Sequence, residues 1–356
     1  MNMSDSQTER KYTRRQFIGA SVALAATASP TLASLPKPGR AMDFLTLAEY
    51  PELWKEKKVS SWMYPWMGRN IVFFTTTTQL DPRIIGIFLK RLDDGWKLYA
   101  DLTGTHPEPY KLYKDMPTIA AVPDEGLNCG AGCSYVGATG MELCLFYSYD
   151  YPMVVKNNKA FAHYYFYEMG RNYYTFGDRH SLFTTGYAVF MRYVCMDSLK
   201  CEDPDIATRK TIEACEAVYA KSDLPFLKAF TTLEGMDEKT PRLDIQPSDQ
   251  PCMYATVMLK LYRENGKNAW LKRFFVALLK CPEVKPSTPN DALKQCVNWL
   301  IAVNAAAKKD LTSLFVKRWR MPLPDTAQQM LAKVAWDDPK LDVASLCEKV
   351  DNTITV

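Results

Sequence analysis

Apolar residues along this chain first cluster in short runs and later recur at helical spacing. Residues 70–78 (NIVFFTTTT) are β-branched and aromatic, which predicts a strand. Asp81-Pro82 reads as an N-cap followed by a first helical residue. Ile84, Ile85, Phe88, Leu89, Leu92, Trp96 and Tyr99 then follow at helical spacing, up to Gly104 and Pro107. Residues 118–122 and 141–147 predict two more strands, with a glycine-rich loop over 126–140 before the second. From Asn158 the period is helical. Helices are expected over 160–174, 186–196, 209–221, 224–233, 252–264 and 269–280. Another opens at Thr288-Pro289 with Leu293, Val297, Leu300 and Ile301 on one face. Asp310 caps a last one that turns Leu311, Leu314, Phe315 and Trp319 inward. The polar stretch 237–251 reads as an exposed connection. Strands first and helices after describe an α+β chain: a small mixed sheet, then a mostly helical C-terminal half.

The N-terminus changes where such a chain is expected to work. Thr13-Arg14-Arg15-Gln16-Phe17-Ile18-Gly19 precedes a weakly apolar, Ala-rich stretch that ends in small residues. This resembles a twin-arginine (Tat) signal peptide. The resemblance implies the Tat translocase as a partner during export, and a periplasmic or secreted mature protein. The expected organisation is a signal peptide over 1–33, a linker and N-terminal segment over 34–64, a sheet subdomain over 65–157, a helical subdomain over 158–340 and a tail over 341–356. Ten cysteines in an oxidising compartment permit disulfides, with Cys129/Cys133 and Cys195/Cys201 as the local candidates. Several others sit in apolar helical patterns, where a buried free thiol is the simpler reading.

Charge narrows the partners. The chain has 44 basic and 40 acidic residues. Without residues 1–33 the balance is 40 to 38, too even for the basic stripe that grips nucleic acid. No apolar run approaches the roughly 20 residues of a membrane span. Phosphate-loop, dinucleotide and nucleophile-elbow motifs are absent.

The chemistry concentrates in residues 161–176, FAHYYFYEMGRNYYTF, half of them aromatic. The stretch Tyr167-Glu168-Met169-Gly170-Arg171-Asn172 resembles the H-E-L-G-H-N helix of gluzincin-type zinc peptidases. In that motif two histidines one turn apart hold zinc and the glutamate activates the metal-bound water. Glu168, Gly170 and Asn172 match; Tyr167 and Arg171 stand at the ligand positions. Upstream, Thr139-Gly140-Met141-Glu142 is similar to the G-x-M-E-N edge strand of gluzincin aminopeptidases, which binds peptide backbone and a free amine. Downstream, the helix that would supply a glutamate as third ligand has Phe190 at that position. The resemblance covers roughly residues 65–325 and implies a zincin-like (gluzincin) core with its cleft between residues 140–143 and the helix 167–172.

All three expected zinc ligands are replaced. Arginine stays protonated and has no lone pair to offer a metal. No cofactor is therefore expected, with zinc as the alternative through His163 and His180. The leading reading is a metallopeptidase-like protein without its zinc, whose cleft binds a peptide or glycan through Arg171, Asn172, Gly140, Met141 and Glu142. One rival is an active hydrolase with Glu168 as general base and Tyr167 as acid. Another is a structural envelope protein in which Glu168 and Arg171 are only an i,i+3 pair. Trp62, Tyr64, Trp66, Tyr164, Tyr165, Tyr173 and Tyr174 are candidates to line the groove.

Overall fold

A computed structural model describes residues 35–354 except 124, 129, 181–183 and 234. The expected signal peptide and Cys129 lie outside the described residues. The elements run β1 (Met42–Asp43), α1 (Pro51–Lys57), β2 (Trp62–Met67), β3 (Val72–Thr75), α2 (Pro82–Thr103), β4 (Leu112–Tyr113), β5 (Met116–Ala121), β6 (Gly132–Ser134) and β7 (Met141–Leu143). Helices follow: α3 (Tyr151–Lys156), α4 (Tyr164–Asn172), α5 (Thr184–Ser198), α6 (Ile206–Tyr219), α7 (Phe226–Phe230), α8 (Gln250–Glu264), α9 (Lys267–Leu278), α10 (Pro289–Ala307), α11 (Asp325–Leu331) and α12 (Val343–Asp351). The protein is thus mixed α/β with a helical C-terminal half, and Leu35–Val356 is one compact unit.

The sheet is mixed. Its order is β1-β2-β3-β5-β7-β6, with β4 added to β5. The β3/β5 and β5/β7 pairs are parallel, and β6 closes the sheet antiparallel to β7. Both faces are covered, so its central strands read as continuous apolar runs. On one face Phe73, Ile119, Met141 and Leu143 join a core that continues through α2 into the helical half. On the other, Val72, Phe74 and Ala120 pack against Phe44 and Trp54 of the N-terminal segment.

Four expectations change. In the expected linker and N-terminal segment over 34–64, the described residues, from 35 on, supply β1, α1 and the first residues of β2. Pro65 hid β2, because a proline argues against an interior strand. Here Pro65 needs no donor, and its carbonyl accepts from the Gly39 amide at 2.7 Å. The strand expected over 141–147 stops at Leu143 and gives way to a π-helical turn, Phe146–Asp150, because Phe146 is drawn into the rings of Phe73 and Phe88. The connection 237–251 is tucked in: Arg242 and Ser248 are buried, and the Arg242 guanidinium donates to the carbonyls of Thr231 and Asp237. The C-terminal tail carries α12, capped by Asp342 and seated by Val343, Cys347 and Val350.

The helices cap as the sequence suggests. Asp81 accepts from the Arg83 amide, and Thr288 and Asp291 form a reciprocal capping box. Close approach is bought with glycine at the centre of the fold, where α2 meets α4. A Cβ on Gly95 would stand 2.6 Å from the Phe166 ring and 3.3 Å from the Met169 sulfur. Gly95→Ala is therefore expected to destabilise the protein by about 1–3 kcal/mol despite alanine's better helix propensity. Denaturant unfolding measures this, and an unchanged midpoint would refute it.

Candidate functional site

Helix α4 carries the residues singled out by sequence, and its neighbours hold it on every side. At its start the buried Asp150 carboxylate accepts from the hydroxyls of Tyr164 and Tyr165, the latter at 2.9 Å. Burial still pushes that carboxyl up to about 6. In the middle, the Tyr99 hydroxyl donates to the Phe166 carbonyl at 2.6 Å. At the end, the Asn172 amide donates to the carbonyls of Tyr135 (2.9 Å) and Gly140 (3.1 Å). Asn172 and Gly170 thus have packing duties. A Cβ on Gly170 would stand 2.9 Å from the Tyr99 hydroxyl and 3.2 Å from the α5 backbone at Ala188.

Glu168 projects toward β6, the true edge of this end of the sheet. Its carboxylate accepts from the Ser134 hydroxyl, and its side chain is only 7% exposed. Burial raises its pKa, while Ser134 and Arg171 pull it back. Arg171 sits one turn on, with Nε 3.9 Å from the Glu168 carboxylate and a quarter of its side chain exposed (26%). That distance is an ion pair but not a hydrogen bond. Tyr167 lies beside Arg171 and Thr185; burial raises its phenol and Arg171 lowers it.

Two acids that the sequence reading missed complete the surroundings. Glu49, from the N-terminal segment, lies close enough to feel Glu168 and Arg171. Burial and then Glu168 push it up to about 7, against Arg171 and Lys111. Glu238 has its pKa raised by burial and drawn back first by Thr185 and then by the charge of Arg171. Neither is near α4 in the chain, and neither lies in a recognisable motif. Arg171 is therefore a partly open cation that pairs with Glu168 and whose charge also lowers the pKa of Glu49 and Glu238.

Glu142 lies elsewhere. The strand 141–143 is interior, bonded to β5 on one side and β6 on the other, and not the edge strand the resemblance implied. Met141 and Leu143 face the helices, so strand alternation turns Glu142 to the opposite face of the sheet. There its carboxylate accepts from the Glu49 amide at 2.6 Å. Its other oxygen is buried without a partner, as is one oxygen of Glu49. Burial pushes Glu142 up to about 8. Gly140 serves the turn before it, at φ +126° with Lys111 and Tyr135 closing the space a side chain would need.

The positions that the zinc-peptidase resemblance assigns to ligands carry Tyr167, Arg171 and Phe190, and Phe190 is fully buried against Tyr254 and Tyr262. His163 and His180 stand in different surroundings. His163 packs on Tyr164 and Tyr193, and burial holds it neutral by lowering it to about 3. His180 bonds the Tyr254 hydroxyl at 2.6 Å and stacks near Trp299. Among the described residues no three His, Cys, Asp or Glu side chains are grouped to hold a metal ion. Most of the expected groove aromatics are core: Trp66, Tyr165, Tyr173 and Tyr174 are buried, while Trp62 is exposed. Cys195 and Cys201 are free thiols, not a disulfide. Among the described residues no helix is long and apolar enough to cross a membrane.

No family model and no curated protein matches the chain. Among solved structures, a functionally unknown conserved protein from Bacillus anthracis str. Ames aligns at TM-score 0.47 and 11% identity, over 82% of this chain and 55% of that one. A mutant of a functionally unknown conserved protein from the same organism aligns at TM-score 0.48 and 11% identity, over 79% and 53%. The M60 catalytic domain of Clostridium perfringens ZmpB, solved with its CBM51-1 and CBM51-2 domains, aligns at TM-score 0.42 and 13% identity, over 87% and 30%. The chain spans about half the length of the first two. Likeness at this level fixes neither a fold family nor the chemistry of a site.

The buried acids make a pH-dependent prediction. Unfolded glutamate titrates near 4.5, whereas Glu49 and Glu142 keep their protons to about 7 and 8 in the fold. Their contribution to stability is full below about pH 4.5 and is lost as pH rises through those values. Glu142→Gln keeps an acceptor for the Glu49 amide but removes the charge. The variant should match the parent at about pH 4 and exceed its stability by about 1–3 kcal/mol at about pH 9. Thermal unfolding across that range tests this; a constant offset at all pH values would refute it.

Proposed function

We propose that the mature chain is an exported, zincin-like protein whose zinc site has been replaced, and that it binds a peptide or glycan around Arg171. One observation carries the reading: a partly exposed guanidinium stands where a metal ligand would, with its nearest carboxylate too far for a hydrogen bond. Such a group has donors left for a carbonyl, hydroxyl or carboxylate of a ligand.

The surroundings select the ligand class. A small dianion at Arg171 would lie against Glu168 and within the field of Glu49 and Glu238. A polymer presenting carbonyls and hydroxyls suits the site better. Glu49 is part-protonated near neutral pH and so both donates and accepts. Glu168 is assigned a positioning role, because its carboxylate is closed in by Ser134 and nearly out of solvent. The periplasmic or secreted location rests on Arg14 and Arg15 ahead of the apolar stretch. Replacing both by lysine should block export, read by fractionation of cells; unchanged export would remove that part of the proposal.

The central test is a screen of short peptides and oligosaccharides by protein-observed NMR on the mature chain, followed by titration of the hits. Arg171→Ala should weaken binding about tenfold or more, equivalent to about 1.4 kcal/mol, while leaving the unfolding midpoint nearly unchanged. A ligand bound equally by the variant, no hit from either class, or about one zinc per natively exported chain would each overturn the reading.

A further inference from the structure

Cys281 and Cys347 are 66 positions apart in sequence, so no spacing rule links them. In the fold their sulfurs lie 3.7 Å apart, both buried, with the Cys347 thiol directed at the Cys281 sulfur. We infer that these two cysteines form a disulfide on oxidation, which fastens the C-terminal helix α12 to the body of the protein.

The two sides of the contact are held very differently. Cys281 belongs to a strap that is tied down along its length. The Cys281 carbonyl accepts from Arg179 at 3.1 Å, the Pro282 carbonyl from Asn298 at 2.9 Å, and the Val284 carbonyl from Gln295 at 2.8 Å. The Glu283 carboxylate pairs with Arg179 at 2.8 Å. Cys347 instead sits on the nine-residue α12, seated by Val343, Cys347 itself and Val350. Beside the sulfurs, a groove of about 580 Å³ separates residues 282–285 from α12. A covalent link at this point would join the short C-terminal helix to a segment tied by hydrogen bonds along its length.

Two buried thiols can simply pack as small apolar groups. The mutual contact favours more than that, because the sulfurs need only a modest approach to bond and no other atom stands between them. In the closed fold the Cys347 thiol is pushed far up, by the Cys281 contact first and by burial second, so thiolate is scarce. Exchange therefore proceeds when α12 lifts, a local opening that uncovers Val343, Cys347 and Val350. With oxidised glutathione as oxidant, the Cys347 thiolate attacks one glutathione sulfur, and one glutathione leaves as a thiolate. As α12 redocks, the Cys281 thiolate attacks the Cys347 sulfur of the mixed disulfide and expels the second glutathione. The two cysteines lose two protons and two electrons, and one glutathione disulfide becomes two glutathione thiols.

The test uses the full chain incubated with oxidised glutathione, alkylated at the end, digested without reduction and mapped by mass spectrometry. A linked pair of peptides containing Cys281 and Cys347 is expected, absent from Cys347→Ser and, if that variant folds poorly, from Cys347→Ala. The oxidised chain should melt about 4 °C or more above the reduced one, a shift that neither variant shows. The inference is overturned if both cysteines are recovered alkylated under conditions where hydrogen exchange shows α12 opening. It is overturned equally if either is found linked to a different cysteine.

Discussion

Helix α4 has only nine residues, and six of them are buried. The sheet edge, α2 and α5 all approach it closely enough that Gly95 and Gly170 cannot carry a side chain without displacing a neighbour. Hydroxyls and amides lock both of its ends. A short helix has little stability of its own in water, so tertiary packing supplies its shape. The positions of Tyr167, Glu168 and Arg171 are therefore set by the core beneath them, and a ligand would meet a prebuilt arrangement. Preorganisation of this kind lowers the entropic cost of binding.

Charge within this arrangement is unusually dependent on pH. Burial dominates the shifts of Glu49, Glu142, Glu168 and Glu238, and all four move toward the neutral acid. A neutral carboxyl donates as well as accepts, so near neutral pH the Glu49 side chain changes its hydrogen-bonding character without moving. Glu142 and Glu168 share that tendency on opposite faces of the sheet, with Glu49 beside the first and within electrostatic reach of the second. Protonation at Glu49 is thus felt on both sides of the sheet edge.

Much of the fold was legible from periodicity, and the failures have physical causes. The long amphipathic helices α2 and α10 were readable because their caps and apolar stripes agree. The strand β2 was not, because a proline such as Pro65 argues against an interior strand, while tertiary pairing with β3 overrides it. The strand expected to continue past Leu143 fails because Phe146 and Tyr147 satisfy aromatic packing better than a ladder. At the candidate site, the helix with Tyr167, Glu168 and Arg171 was singled out by its likeness to a motif, and the fold makes it a helix. Glu49, Ser134 and Glu238 were invisible, since contacts between distant segments leave no local pattern. The assignment of 141–143 to a sheet edge failed because edge or interior is a property of strand order, which β6 decided.

The pattern of matches to the zinc-peptidase helix can itself be explained physically. Gly170 matches, and the close crossing with Tyr99 and α5 requires a residue without a side chain there. Asn172 matches, and it is needed to hold the 135–140 turn. Glu168 matches, and it anchors the edge strand through Ser134. Each has a structural reason of its own, independent of any metal. The positions that differ from the motif are Tyr167, Arg171 and Phe190. Of these, Phe190 is buried in the helical core, while Arg171 is partly open to solvent. A guanidinium left partly open beside a buried carboxylate costs solvation and returns little as an isolated ion pair. Packing accounts for Gly170, Asn172 and Glu168, whereas Arg171 draws the carboxyls of Glu49, Glu168 and Glu238 toward their charged form and keeps a quarter of its side chain in solvent.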